Sequence, residues 1–232
     1  MAGWGSNNKY ALLGSMRSVA QMVSYEIPAG ISILSVVMIS QSLNLQEITI
    51  RQGILTSETV NFLGVWDVKA IGGIFAWNVF QAPHLIVAYI IYFIASLAEC
   101  NRAPFDIPEA ESELVGGFHV EYSGLRFAFI FLAEYSMMFL VGMIGVILFL
   151  GGWNSPLPNI GSVSLATWTT GIAWGIFWIL TKTLCVVAVQ IWLRWTLPRF
   201  RVDQLMSFCW KILTPLAFLC MLISGIWRLT MM

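Results

Sequence analysis

Charged side chains are scarce in this sequence: 10% of its 232 residues are Asp, Glu, Lys or Arg, against about 25% in an ordinary soluble domain. A chain so poor in charge cannot cover a water-facing surface, and 58% of its residues are hydrophobic, with a mean hydropathy of +0.79. The composition is that of an integral membrane protein. The formal net charge is zero, so no global basic or acidic field points to nucleic acid or to a charged surface as partner.

Metal-binding and redox side chains are equally sparse. The four cysteines, Cys100, Cys185, Cys209 and Cys220, form no C-x-x-C pair, and the two histidines, His84 and His119, lie 35 positions apart. These spacings argue against a disulfide framework, an iron–sulfur cluster or a zinc site. No G-x-G-x-x-G, Walker or H-E-x-x-H motif occurs, so nothing in the chain binds a nucleotide or a metal by a recognisable device, and any redox chemistry is expected to use a cofactor held by another chain. The opening "MAGWGSNNKYALLG" lacks the basic and apolar regions of a signal peptide. No internal repeat is visible.

What the chain does have is long apolar runs. A span needs about 20 mostly apolar residues, and five stretches qualify: about 18–43, 76–98, 123–150, 168–194 and 206–228. The expected fold is therefore all-α, a polytopic transmembrane bundle forming a single membrane domain over 1–232, with 46–73 as a polar segment at the membrane face. Five spans put one set of basic residues, Lys9, Arg17, Arg102, Arg126, Arg194, Arg199 and Arg201, on one side. Only Arg51, Lys69 and Arg228 fall on the other. By the positive-inside rule the first side is cytoplasmic, or matrix.

On that side lies "NRAPFDIPEAESELVGGFHVEY". Six of the twelve acids, Glu99, Asp106, Glu109, Glu111, Glu113 and Glu121, fall between positions 99 and 121. Asp106 and Glu109 have the spacing of a capping box for a short helix over Ile107–Val115, with Pro108 tolerated in its first turn. Asp106, Glu109 and Glu113 then share one stripe, where mutual repulsion favours proton exchange. A plain cap on a solvated helix face is the competing reading.

Inside the spans are Glu26, Glu134, Lys182 and Lys211. A charge near the centre of a span costs about 2.5–3.5 kcal/mol, so each is expected to face the bundle interior or a wet cavity. Pro28 disturbs the turn holding Ser24 and Glu26 and predicts a kinked, hydrated helix, and Pro215, four residues after Lys211, frees that lysine's backbone carbonyl. Glu134 lies about 12 Å deeper than Arg126 by helical rise. The four groups read either as a proton relay leading inward from the acidic loop or as two neutral ion pairs. Arg102 and Arg126 bracket the loop, placed either to hold carboxylates or to meet a polar headgroup.

"GWGSNNKYALLGSMRSVAQMVSYEIP", "LAECNRAPFDIPEAESELVGGFHVEYSGLRFAFIFLAEY" and "PRFRVDQLMSFCWK" resemble, in this order, three signature regions of the membrane H subunit of proton-pumping NADH:quinone oxidoreductase, respiratory complex I. The resemblance covers essentially the whole chain. It implies a helical subunit that lines part of a quinone chamber and couples quinone reduction to proton translocation, in a bacterial cytoplasmic or mitochondrial inner membrane. Quinone would be the substrate, while FMN and iron–sulfur clusters would reside in partner subunits. Mapped residue by residue, the chamber and acidic loop comprise Arg17, Glu99, Arg102, Asp106, Glu109, Glu111, Glu113, Phe118, Glu121 and Arg126. The proton path takes Glu26 and Glu134, with Lys182 and Lys211 added from the reading of the spans. Arg199, Arg201 and Asp203 would dock the peripheral arm. Family members have about eight spans, so this chain is expected to lack the first three. Two other readings remain: the homologous membrane subunit of a membrane-bound hydrogenase or formate hydrogenlyase, and a free-standing ion transporter or channel.

Overall fold

A computed structural model of the protein describes residues 2–54, 61–63, 66–68, 71–102, 104–106, 122–159, 165–169 and 171–231. The chain runs through α1 (Ala2–Gly5), α2 (Lys9–Ser40) and α3 (Leu45–Arg51), then a two-residue antiparallel pair, β1 (Asn61–Phe62) with β2 (Trp66–Asp67). A 3-10 turn at Gly73–Ala76 leads to α4 (Asn78–Gln81) and α5 (Pro83–Glu99). After the acidic loop come α6 (Leu125–Phe149), α7 (Leu165–Trp168) and α8 (Ile172–Thr196). The last stretch is α9 (Val202–Phe208), a π-helical turn (Cys209–Leu213) and α10 (Thr214–Met231).

Among the described residues, four helical stretches are long and apolar enough to cross a membrane: Lys9–Ser40, Leu125–Phe149, Ile172–Thr196 and Val202–Thr230. The shorter apolar α5 completes a polytopic helical membrane bundle. Its 17 residues rise about 25 Å, the short end of a spanning helix. The expected second span, 76–98, is thus helical only in part as a single rod. Pro83 at the first helical position starts α5 and separates it from α4. The first long helix begins earlier than expected, at Lys9, because the Asn8 side chain caps it by accepting from the Tyr10 amide.

Small residues let α5 sit at the centre, packed against α2, α6 and α10. Ala88, Ala95 and Ala98 are fully or almost fully buried there, and a Cβ on Gly145 of α6 would meet the Tyr92 ring at 2.8 Å. Tyr92 also donates its hydroxyl to the Val141 carbonyl at 2.9 Å.

The segment expected at the membrane face is not simply superficial. Ile48, Thr49 and Gln52 are buried, and α3 packs on α6. The reason is the polar end of α6. Gln52 Nε2 donates to the carbonyls of Ile147 and Leu148, while its Oε1 accepts from the amides of Asn78 and Gly151. Those carbonyls have no partner further along the helix, and the amide of Gln52 supplies one.

Candidate functional site

The basic side of the bundle is organised by one neutral side chain. Gln21 of α2 donates through Nε2 to the carbonyls of Ala98 and Phe105, both at 2.8 Å, and so clamps the end of α5 and the start of the acidic loop to α2. Asn101, with a positive φ of 49°, reverses the chain there. The sequence reading, which followed charge, missed Gln21. The signal was a lone amide in an apolar span, where a polar group needs a partner on another helix.

The reversal carries Arg102 inward. Its guanidinium is buried, with Nη2 lying 3.3 Å from Glu134 Oε2 and the charge stacked over the rings of Tyr135 (4.5 Å) and Phe131 (5.7 Å). A planar cation between a carboxylate and two aromatic faces is well compensated. Glu134 is therefore held by Arg102, one of the two arginines bracketing the loop, and among the described residues no lysine–glutamate ion pair is seen.

Beside this pair is a cavity of about 460 Å³ between α2, the end of α5 and α6, lined by Glu99, Glu134, Asn101, Ser15 and Ser18 among others. Glu26, exposed on α2, is near enough to act electrostatically on Glu99. Arg17 is half-buried on the same helix, and Arg126 is exposed in the first turn of α6. Asp106 lies 3.8 Å from Arg199, and the Phe200 amide donates to the Pro104 carbonyl, so the acidic loop's first residues are pinned to the α8–α9 connection. Glu109, Glu111, Glu113, Phe118, Glu121 and the short helix over 107–115 lie outside the described residues. Arg201 and Asp203 are exposed at the start of α9.

Helix α2 continues through Pro28, and the Ser24 carbonyl that Pro28 leaves without a helical donor accepts the thiol of Cys209 at 3.1 Å. That cysteine opens the π turn preceding Pro215, where Thr214 Oγ1 donates to the Cys209 carbonyl. Tyr25, next to Glu26, donates to the Leu205 carbonyl at 3.1 Å.

Lys182 and Lys211 stand apart from these carboxylates. Lys182 donates to the carbonyls of Leu150, Gly152 and Asn154 (2.8, 3.1 and 2.7 Å) and sits over the Trp77 ring, at the far end of α6. A lysine caps the negative end of a helix there. Lys211, like Glu26, departs from the expectation that each charge faces the interior: it is exposed on the π turn, at the edge of a separate apolar cavity. The structure therefore brings together Glu99, Arg102 and Glu134 with Glu26 nearby, joins Asp106 to Arg199, and leaves the two lysines elsewhere.

A family profile described as NADH dehydrogenase matches residues 1–225. The chain belongs to that family. It is 55% identical over 243 aligned residues to the second of the numbered H subunits of NADH-quinone oxidoreductase in Cytophaga hutchinsonii, covering 98% of this chain and 66% of the relative. The H subunit of the NADH-quinone oxidoreductase of Chlorobium luteolum is 57% identical, over 98% of this chain and 57% of its own length. The corresponding protein of Chlorobaculum parvum is 54% identical, over 97% and 58%. This NADH dehydrogenase family member thus spans less than two thirds of the length of these curated relatives. The names of these relatives are those of one subunit of an oxidoreductase complex.

Proposed function

We propose that the chain serves as a membrane H subunit of a proton-translocating NADH:quinone oxidoreductase, in the cytoplasmic membrane of a bacterium. In this reading the acidic loop and the cavity beneath it form part of the wall of a quinone chamber. The observation that carries the reading is that Glu99 and Glu134 line one cavity at the root of that loop, with Arg102 paired to Glu134, in a chain of this family.

The FMN and iron–sulfur clusters of partner subunits would supply electrons to the quinone; this chain's part is to hold charge and protons. Arg102 fixes the carboxylate of Glu134 at membrane depth, where an unpaired one would be costly. Glu99 faces the same cavity from the end of α5, and Glu26 is within electrostatic reach of it. Proton uptake at the loop changes the field felt by these membrane glutamates, because like charges at short range cannot all stay ionised. A signal then passes from the loop into the bundle along α2 and α6. Arg201 and Asp203, exposed beside the loop, offer the peripheral partners a charged edge.

The test is to replace Glu26 or Glu99 with Gln in the assembled complex. Quinone reduction linked to proton pumping is expected to fall about tenfold, a loss of roughly 1.4 kcal/mol in transition-state stabilisation, with assembly on a native gel unchanged. Wild-type rates in both variants overturn the coupling role. Hydrogen evolution in place of quinone reduction by the purified assembly would favour the hydrogenase reading instead.

A further inference from the structure

Across α5 from the carboxylates, the basic-side ends of α5, α8 and α9 enclose a second cavity of about 720 Å³, open on one side. Phe93, Leu97, Phe105, Leu193, Phe208 and Ile212 give it an almost wholly apolar wall, and its size is that of a site for a substantial small molecule. One cation stands at it, Lys211 on the π turn. Among the described residues no hydrogen bond or ion pair engages the Lys211 ammonium. A cation held at membrane depth without a counter-charge is unfavourable, so the site as it stands calls for an anion.

Position narrows the chemistry. The cavity's wall includes Leu197, Phe200 and Gln204, from where α8 ends and α9 begins, the side that carries Arg194, Arg199 and Arg201. Arg194 lies beside the lining residue Leu193 in the last turn of α8 and is exposed. Basic pockets between transmembrane helices on this side suit the phosphate of anionic lipids, whose chains lie in the adjoining hydrocarbon. A neutral quinone would fill the apolar wall but leave the charge of Lys211 unanswered. We infer that this cavity binds an anionic phospholipid, one acyl chain lying between α5, α8 and α9 and the phosphate meeting Lys211. The site is independent of the carboxylate cavity and of the function proposed for it.

The test uses the full chain, purified in mild detergent with whatever subunits accompany it, and exposed to nanodiscs of phosphatidylglycerol or of phosphatidylcholine with identical chains. Native mass spectrometry after delipidation then counts the phospholipid retained. Wild type is expected to keep phosphatidylglycerol in preference to phosphatidylcholine, a comparison that needs no variant. Lys211→Met should lower that retention about fivefold, the effect of one basic side chain near an anionic headgroup, whereas Lys211→Arg should preserve it. Leu197→Trp, which fills the cavity from α8, should lower it with Lys211 intact. Equal retention of the two lipids, unchanged retention in Lys211→Met, or recovery of a neutral quinone from this cavity overturns the proposal.

Discussion

The two ends of α6 handle buried polarity in opposite ways. At its far end the last carbonyls are answered by other segments: Gln52 serves two of them, Asn78 Nδ2 donates to Leu148 at 2.7 Å, and Lys182 closes over three more from the end of the helix and the following loop. At the basic side Arg102 is compensated electrostatically by Glu134. Even so, among the described residues Arg102 Nε, Gln21 Oε1 and Asn101 Oδ1 are buried there without a hydrogen-bond partner, against Trp77 Nε1 at the far end. Satisfied networks fix one geometry, and partly satisfied ones leave capacity for another partner or another protonation state. The far end is built as an anchor, and the basic end as a site.

The largest effect should come from breaking the anchor. Lys182→Met leaves three carbonyls of the far network without their donor, a loss on the order of 3 kcal/mol. The yield of folded protein and its unfolding midpoint in detergent should both drop sharply. A midpoint within error of wild type, together with lost pumping, would return Lys182 to the proton path suggested by its position in the sequence.

At the basic end a smaller and coupled effect is expected. Arg102→Met and Glu134→Gln should each destabilise the protein, and the double substitution should cost less than the sum by about 1–3 kcal/mol, since each single change strands a partner. Strict additivity in a double-mutant cycle would mean that the 3.3 Å approach carries no coupling and that the ends differ less than their geometry implies.

Much of this contrast could not be read from sequence, for definite reasons. Apolar run length located the long helices, because hydrophobic transfer is written residue by residue. Helix α5 was overextended: Trp77, Val79 and Phe80 are as apolar as a span, and only the backbone shows that Pro83 makes a new start. Glu134 and Arg102 stood out as rare charges, yet their pairing depends on the Asn101 reversal, which brings a loop residue against a helix. Lys182 was visible but misgrouped, since its acceptors are main-chain carbonyls, which every residue carries and no sequence pattern marks. Gln21 and Gln52, neutral amides with the most consequential hydrogen bonds at the two ends, had little to distinguish them from other polar residues.

The smallest expected effect concerns the hinge between the site and its neighbouring connection. Asp106 and Arg199 approach to 3.8 Å with both side chains partly solvated, and such pairs contribute about 0–1 kcal/mol. Arg199→Ala should therefore barely shift the unfolding midpoint. Its effect should shrink further at high salt, where exposed charges are screened beyond a few ångströms. If Arg199 also holds a peripheral partner, as its sequence position suggests, the same substitution weakens that association while the midpoint stays put, and Asp106→Asn leaves the association intact. A loss of partner binding in both variants would instead make the ion pair the feature that shapes the docking edge. Arg201→Ala, altering an exposed residue two positions away, separates charge at that edge from the pair itself.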